Sequence, residues 1–189
     1  MPRTTDRCLS IGIGAARIAR KNCRAASHPS TSCKVVALAS RDKKKATPLF
    51  QRCLAQSLRP APIVYGGESS YATLLADTSC EAVYIPLPSR LHYKYVISAL
   101  KSGKHVLLEK PVANSADEYR EMLKAAEENG RFLMDGTMFV HHPRTHSFIK
   151  SVPGATRVHF NFTFDGDESF HQNDIRTKKD GDFMGLLEI

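Results

Sequence analysis

A short stretch in the middle of the chain ends in residues that could move a proton. Residues 104–108 are mostly apolar, which predicts a buried strand, and Glu109, Lys110 and Pro111 follow it. Pro111 lacks an N–H and disfavours a helical backbone at Lys110, so the strand should end there. Ligands bind at the carboxyl edge of open parallel sheets, and a lysine beside a glutamate in a cleft can act as an acid or a base. Lys110 is therefore a candidate catalytic residue; the alternative is an ordinary strand end with two solvated charges.

Glycines near the start of the chain form a second candidate site, between a predicted strand and a predicted helix. Two glycines two residues apart let the backbone turn tightly and approach a pyrophosphate, while the helix N-terminus offers free N–H groups. The third glycine of the G-x-G-x-x-G pattern is replaced by Arg17, which prevents the closest packing of helix on strand. A tight turn without a ligand is the alternative. The residues predicted to bind a dinucleotide here are Gly12, Gly14, Ala16, Arg17 and Ile18.

The end of the second predicted strand, residues 34–39, indicates which dinucleotide is bound. Proteins that prefer NAD usually have an acidic residue here for the ribose 2′-hydroxyl. This chain has Ser40 and Arg41, with Asp42 one place later. A hydroxyl and a guanidinium suit a 2′-phosphate, so we expect NADP rather than NAD. The alternative is an exposed helix start that Asp42 caps.

A stiff loop follows a further predicted strand, residues 82–85. Pro86 and Pro88 flank Leu87 at the carboxyl end of that strand, and the loop could form a wall against a flat ring. His92 lies near the start of the next predicted helix. A single histidine there is more often solvated or capping than catalytic.

The elements that position these residues alternate between strand and helix up to residue 150. This alternation, with short loops, predicts an α/β fold with a doubly wound parallel sheet, which we assign to residues 1–150 as a dinucleotide-binding domain. One predicted helix, residues 114–129, begins at Asn114 or Ser115. Its core positions are predicted to be Tyr119, Met122, Leu123 and Ala126.

The pattern of predicted secondary structure changes after residue 150. Residues 156–164 alternate polar and apolar side chains, which predicts a strand with one buried face. We interpret residues 151–189 as the beginning of a second, sheet-based domain of the α+β type. One such strand cannot bury its face alone, so this domain is expected to be incomplete.

Composition excludes several other functions. The 27 basic and 19 acidic residues give a net charge of +8, which fits a solvated basic surface or attraction for a phosphate-rich cofactor. The basic residues are scattered and no nucleic-acid motif is present, so we expect no nucleic-acid partner. No apolar run approaches the roughly 18 residues of a membrane span, and residues 1–7 do not resemble a secretory signal. A cytoplasmic protein without a membrane partner is the expectation.

Neither cysteines nor histidines predict a metal site. Five cysteines without C-x-x-C spacing indicate reduced thiols rather than a disulfide framework or a zinc site. Three histidines lie close together in the sequence, but no acidic residue or cysteine lies at a spacing suitable for binding a metal ion with them. They are His141, His142 and His146.

Taken in order, these motifs resemble the Gfo/Idh/MocA oxidoreductase family. Each motif is weak by itself, but the ordered set is specific and spans nearly the whole chain. The branch is most similar to dimeric dihydrodiol dehydrogenases and NADP-dependent xylose dehydrogenases. The matching segments are residues 12–19, 39–42, 84–88, 91–92, 109–111, 134–139 and 173–176.

The resemblance implies a Rossmann domain followed by an open-faced β-sheet domain, with hydride transfer between NADP and a CH–OH group of a sugar or diol. Lys110 would bind the reacting oxygen, help move its proton and stabilise the developing alkoxide. Glu109 and the loop 86–88 would line the cofactor, and His92 would lie near the nicotinamide. Asp174, as a second catalytic residue, and Arg176 would lie near the substrate at the domain junction.

Members of the family are typically nearly twice as long and form homodimers through the sheet of the second domain. The resemblance therefore implies that this chain lacks most of that domain. The alternative hypothesis is a non-catalytic or vestigial module that binds NADP without turnover.

Overall fold

The computed structural model describes residues 9–14, 18–26, 28, 30–42, 44, 62–159, 161, 163 and 166–174. The chain divides into two compact units, Met1–Asp135 and Gly136–Ile189. The functional boundary that we place after residue 150 stays a prediction. No helix among the described residues combines the length and the apolar character needed to cross a membrane.

The first unit is built on a parallel sheet of six strands. Their spatial order is β3-β2-β1-β4-β5-β6, and every neighbouring pair is parallel. The chain moves outwards from β1 to β3, returns to the centre and then moves outwards to β6. This confirms the doubly wound α/β fold and places the topological switch point between β1 and β4. The strands are β1 Leu9–Gly14, β2 Cys33–Ser40, β3 Ile63–Gly66, β4 Ala82–Ile85, β5 His105–Leu108 and β6 Leu133–Asp135.

Helices connect these strands. The described helices of the first unit are α1 Ala19–Ala26, α2 Ser70–Ala76, α3 His92–Lys101 and α4 Ala116–Glu128. α4 begins as predicted: Ser115 Oγ accepts a hydrogen bond from the Glu118 N–H at 3.2 Å, and Glu118 Oε2 accepts one from the Asn114 N–H at 2.9 Å. This reciprocal capping satisfies two backbone donors at the start of the helix.

The main core lies between the sheet and the helices α3 and α4. Along β5, Val106 and Leu108 are buried under these helices, while the alternate residues face the other side of the sheet. Leu100 of α3 and Met122 of α4 are fully buried against them. The buried apolar residues of β4 and β5 thereby anchor both strands, whose carboxyl ends are followed by the loops that begin at Pro86 and Glu109.

The predicted core face of α4 is partly correct. Met122 and Ala126 are buried, and Tyr119 is half-buried against the core. Leu123 is 45% exposed, so its assignment to the core is wrong. It follows Met122 by one residue, which turns its side chain about 100° away around the helix.

The second unit contains, among its described residues, a 3₁₀ turn and two helices. The turn is Met138–His141, and the helices are α5 Pro143–Ser151 and α6 Glu168–Asn173. His142 caps α5 by accepting a hydrogen bond from the Arg144 N–H at 3.1 Å. Pro143 occupies the first turn, where a missing N–H costs nothing.

The strand predicted over residues 156–164 is not present in its described part. Residues 156–159, 161 and 163 belong to no strand. A strand needs a paired neighbour, and the described residues of the second unit include no other strand. The alternation of polar and apolar residues indicates only which face of a strand would be buried. A neighbouring strand or helix must supply the surface that buries this face.

Candidate functional site

The candidate cofactor residues are brought together because parallel strands end at one edge of the sheet. Gly14 ends β1, Ser40 ends β2, and the segments that begin at Pro86 and Glu109 follow β4 and β5. Gly12 lies at the centre of the sheet, paired with Ala37 of β2 on one side and Val83 of β4 on the other. The glycine motif therefore lies at the switch point, where dinucleotides bind in such sheets.

The structure places the rest of the glycine motif only in part. Ile18 is half-buried in the turn before α1, and its carbonyl accepts a hydrogen bond from the Lys21 N–H at 3.0 Å. Ala16 and Arg17 lie outside the described residues. The role of the motif in cofactor binding stays a prediction.

At the end of β2, the exposed Arg41 lies within a turn that hydrogen bonds between Ser40 and Asp42 stabilise. Ser40 is buried; its hydroxyl donates to the Asp42 carbonyl at 2.9 Å and accepts from the Asp42 N–H at 3.1 Å. The Asp42 carboxylate accepts from the Lys44 N–H at 3.0 Å. Arg41 between them is exposed. Since the Ser40 hydroxyl holds the turn, the exposed Arg41 is the residue of this turn that offers a positive charge to an anionic ligand, and Lys44 lies three residues further along.

His92 is a structural link between two loops of the site. Its side chain is fully buried, so the expectation of a solvated or capping histidine is wrong. Nδ1 lies 2.8 Å from the Pro111 carbonyl, and Nε2 lies 2.6 Å from the Leu87 carbonyl. Both partners are backbone carbonyl oxygens, which accept hydrogen bonds. The ring ties the loop after β4 to the loop after β5, and its proximity to the nicotinamide stays a prediction.

Glu109 is held by residues that the sequence did not identify as functional. The Tyr84 hydroxyl donates to Glu109 Oε1 at 2.5 Å and accepts from Asn22 Nδ2 at 2.5 Å. Glu109 Oε2 accepts from the Lys110 N–H at 3.2 Å. Burial, and then the hydrogen bond to the carboxylate, raise the pKa of Tyr84. A tyrosine inside an otherwise aliphatic strand was the available signal, because a buried phenol needs a polar partner.

Lys110 lies just beyond the carboxyl end of β5, the edge of an open parallel sheet at which ligands generally bind. It is half-buried, follows the carboxyl end of β5, and its peptide bond to Pro111 is cis. Glu109 fixes its backbone through the N–H, so the side chain starts from a defined point. The catalytic role of Lys110 stays a prediction.

Asp174 belongs to the second unit. It is half-buried directly after α6, and its N–H donates to the Phe170 carbonyl at 3.0 Å. Its catalytic role stays a prediction, and Arg176 lies outside the described residues. Within the described ranges, no group of three or more histidine, cysteine or acidic side chains could hold a metal ion.

We expect the Tyr84→Phe variant to lose about 2 kcal/mol of unfolding free energy at pH 7, because the buried Glu109 carboxylate loses a donor. The pKa of Tyr84 is raised on folding, so unfolding releases a proton once the pH exceeds the unfolded value of about 10. The difference between variant and wild type should therefore shrink above that pH. Urea unfolding followed by far-UV circular dichroism measures both quantities.

Tyr93→Phe is the matched control for this variant. The Tyr93 hydroxyl donates to the exposed carboxylate of Glu121. Deleting it should change stability by less than about 0.5 kcal/mol, as for most surface substitutions. Equal losses in the two variants would contradict a special role for the contact between Tyr84 and Glu109.

The parallel order, the switch point between β1 and β4 and the glycines at that point define a Rossmann-type dinucleotide-binding unit. The chain belongs to the Gfo/Idh/MocA oxidoreductase family, whose NAD-binding Rossmann fold matches residues 7–137. This confirms the family resemblance.

Similar proteins include enzymes named for sugars and diols. D-xylose 1-dehydrogenase (NADP(+)) 2 of Haloferax volcanii is 42% identical over 132 residues, 68% of this chain and 38% of that protein. Trans-1,2-dihydrobenzene-1,2-diol dehydrogenase of Mus musculus is 37% identical over 107 residues, 57% of this chain and 29% of that protein.

The fold is also similar to that of a solved structure. KijD10, a 3-ketoreductase from Actinomadura kijaniata in complex with NADP and TDP-benzene, superposes with a TM-score of 0.66 at 31% identity. The superposition covers 77% of this chain and 42% of that one. The chain thus spans less than half the length of each of these three proteins.

Proposed function

We propose that the protein is an NADP-dependent oxidoreductase that acts on CH–OH groups of sugars or diols. The observation that carries the proposal is the end of β2, where an exposed arginine stands in place of an acidic side chain. The donor set fits a 2′-phosphate, because Arg41 offers charged N–H groups while the Asp42 carboxylate is engaged by the Lys44 N–H. The xylose dehydrogenase named for NADP and the NADP complex of KijD10 support this preference.

Each part of the site has a separate task in this proposal. Gly12 and Gly14 allow the pyrophosphate to approach the backbone at the centre of the sheet. The nicotinamide supplies or accepts the hydride when the cofactor is bound. When the CH–OH group is oxidised, the neutral amine of Lys110 accepts the hydroxyl proton, and the ammonium that forms donates a hydrogen bond to the carbonyl oxygen of the product; reduction reverses both steps. Glu109 and His92 help to position Lys110, since Glu109 accepts a hydrogen bond from the Lys110 N–H and His92 contacts the carbonyl of the next residue, Pro111.

The substrate side of the proposal rests on relatives rather than on a described pocket. Names of relatives indicate a pentose and a diol, and the KijD10 complex contains a nucleotide-linked ligand. We propose that Asp174 acts on the substrate as a second catalytic residue. The homodimer implied by the family and the cytoplasmic location remain parts of this proposal.

A non-catalytic NADP-binding module is the second candidate. Every proposed cofactor residue lies within the matched residues 7–137, whereas Asp174 lies beyond them. Cofactor binding without turnover would therefore use only the part of the chain that the family match covers. This candidate predicts NADPH affinity that does not depend on Lys110.

Titration of NADPH and NADH against the purified chain tests the cofactor assignment. The chain has no tryptophan, so the emission of the reduced nicotinamide can be followed without that background. We expect NADPH to bind at least about tenfold more tightly than NADH, since one charge-assisted contact supplies that ratio. Tighter binding of NADH would contradict the proposal. Assays with D-xylose, other sugars and diols then separate the enzyme from the non-catalytic module.

A further inference from the structure

A polar cavity of about 500 Å³ lies at the amino ends of β4 and β5. The turns before these two strands line it, together with Arg131, which lies shortly before β6. The strands are parallel, so this is the edge of the sheet opposite the candidate cofactor site. β4 and β5 are four residues long, which separates the two edges by about 10 Å. The cavity is therefore distinct from the residues that we propose to bind NADP.

Lys104 places a buried positive charge in the wall of this cavity. The residue is 6% exposed, and its Nζ donates to the Asp77 carbonyl at 2.6 Å and to the Cys80 carbonyl at 2.7 Å. An ammonium has three N–H donors, so one remains after these two bonds. Buried charges are normally paired, yet Lys104 forms no ion pair with the described residues. The Asp77 carboxylate instead accepts from the Ser79 N–H at 2.8 Å and from the Tyr65 hydroxyl at 3.0 Å.

Arg131 and His105 add further donors to the wall of the cavity. Arg131 is exposed and forms no ion pair with the described residues; its guanidinium lies beside Gly103, where a Cβ would come within 3.6 Å of Nη2. His105 Nδ1 accepts from the Phe132 N–H at 3.0 Å, so the proton of the neutral ring is on Nε2. Burial, and then the charge of Arg131, lower the pKa of His105, which keeps the ring neutral at pH 7. Glu81 is the carboxylate among the described lining residues, so the cavity has a net positive charge.

We propose that this cavity binds the phosphate group of a small phosphorylated molecule, with Lys104, Arg131 and His105 as donors. A phosphate supplies the negative charge that the described side chains do not supply to Lys104, and its oxygens match the fork of N–H groups on Arg131. A bare ion would fill little of the volume, whereas pockets of about 300–1,000 Å³ hold small molecules. The hydroxyl of Thr78 and the carboxylate of Glu81 can bind polar groups on the rest of the ligand.

Calorimetric titration of the purified chain with inorganic phosphate, in chloride buffer at constant ionic strength, tests this site. We expect a Kd of about 1 mM, which Arg131→Ala should raise at least about tenfold, because charge-assisted bonds to the phosphate are lost. Arg131 is exposed, so its variant should fold like the wild type. Phenyl phosphate should bind at least as tightly as inorganic phosphate, because the cavity has room beside the phosphate group. Arg120→Ala and Arg41→Ala are the controls, and each should change the Kd by less than about twofold.

Four results would overturn this inference. They are the absence of phosphate binding, an Arg131→Ala Kd within about twofold of the wild-type value, weaker binding of phenyl phosphate than of inorganic phosphate, and a loss in either control as large as that in Arg131→Ala. A large loss in Arg120→Ala would indicate attraction to the net charge, and one in Arg41→Ala would place the phosphate at the cofactor site. The NADPH Kd should be unchanged in Arg131→Ala, so the outcome for this site and the outcome for the proposed function are observed separately.

Discussion

Replacing Arg41 by alanine is expected to raise the NADPH Kd by about 100-fold and to leave the NADH Kd within about twofold. A guanidinium paired with a dianionic phosphate makes charge-assisted hydrogen bonds, each stronger than a neutral one. Ser40 cannot replace it, because its hydroxyl already donates to the Asp42 carbonyl. Fluorescence titration of both cofactors at one ionic strength gives the two ratios.

Arg120→Ala is the control for net charge. The chain carries a net charge of +8, so removing any arginine weakens its general attraction for a polyanion. Arg120 is exposed on α4 and pairs with Asp117 at 2.5 Å. Its removal should change NADPH binding by less than about twofold, and raising the salt concentration should reduce that difference further. A loss with Arg120→Ala as large as that with Arg41→Ala would show that the effect is not local.

The sheet and the place of the cofactor residues could be predicted because their signals are local. Short apolar runs followed by glycine or proline predict buried strands, and the alternation with helices predicts parallel pairing. Parallel pairing then places Gly14, Ser40 and Glu109 at one edge without further information. The chain order alone therefore implies the candidate site.

The contacts within that site could not be predicted, because their partners are distant in sequence. Tyr84 and Glu109 are 25 residues apart, and His92 reaches Pro111 across 19 residues. A histidine early in a helix has the same local sequence pattern whether its side chain is solvated or buried. His92 is buried because the chain brings the carbonyl oxygens of Leu87 and Pro111 to its ring. The strand predicted over residues 156–164 is absent from its described residues for the same reason, since its burial depends on a partner that a local pattern does not contain.

The Lys110→Met variant is expected to lose at least about 10³-fold in turnover while its NADPH Kd stays within about twofold. Methionine keeps much of the length of the side chain but cannot hold a proton or stabilise an alkoxide. The loss should therefore appear in kcat rather than in cofactor affinity. Reduction of NADP with D-xylose or the best diol, followed by NADPH absorbance, measures the rate.

Two further variants show what Lys110 contributes. Lys101→Met removes an exposed ammonium from the last turn of α3 and should leave turnover unchanged. Lys110→Arg keeps the positive charge but does not release its proton near neutral pH, so it should restore electrostatic stabilisation without proton transfer. Full turnover in Lys110→Met would contradict the catalytic assignment. A wild-type chain that binds NADPH tightly, turns over no substrate and keeps its affinity in Lys110→Met would instead support the non-catalytic module, because proton transfer by Lys110 matters only where a substrate oxygen reacts.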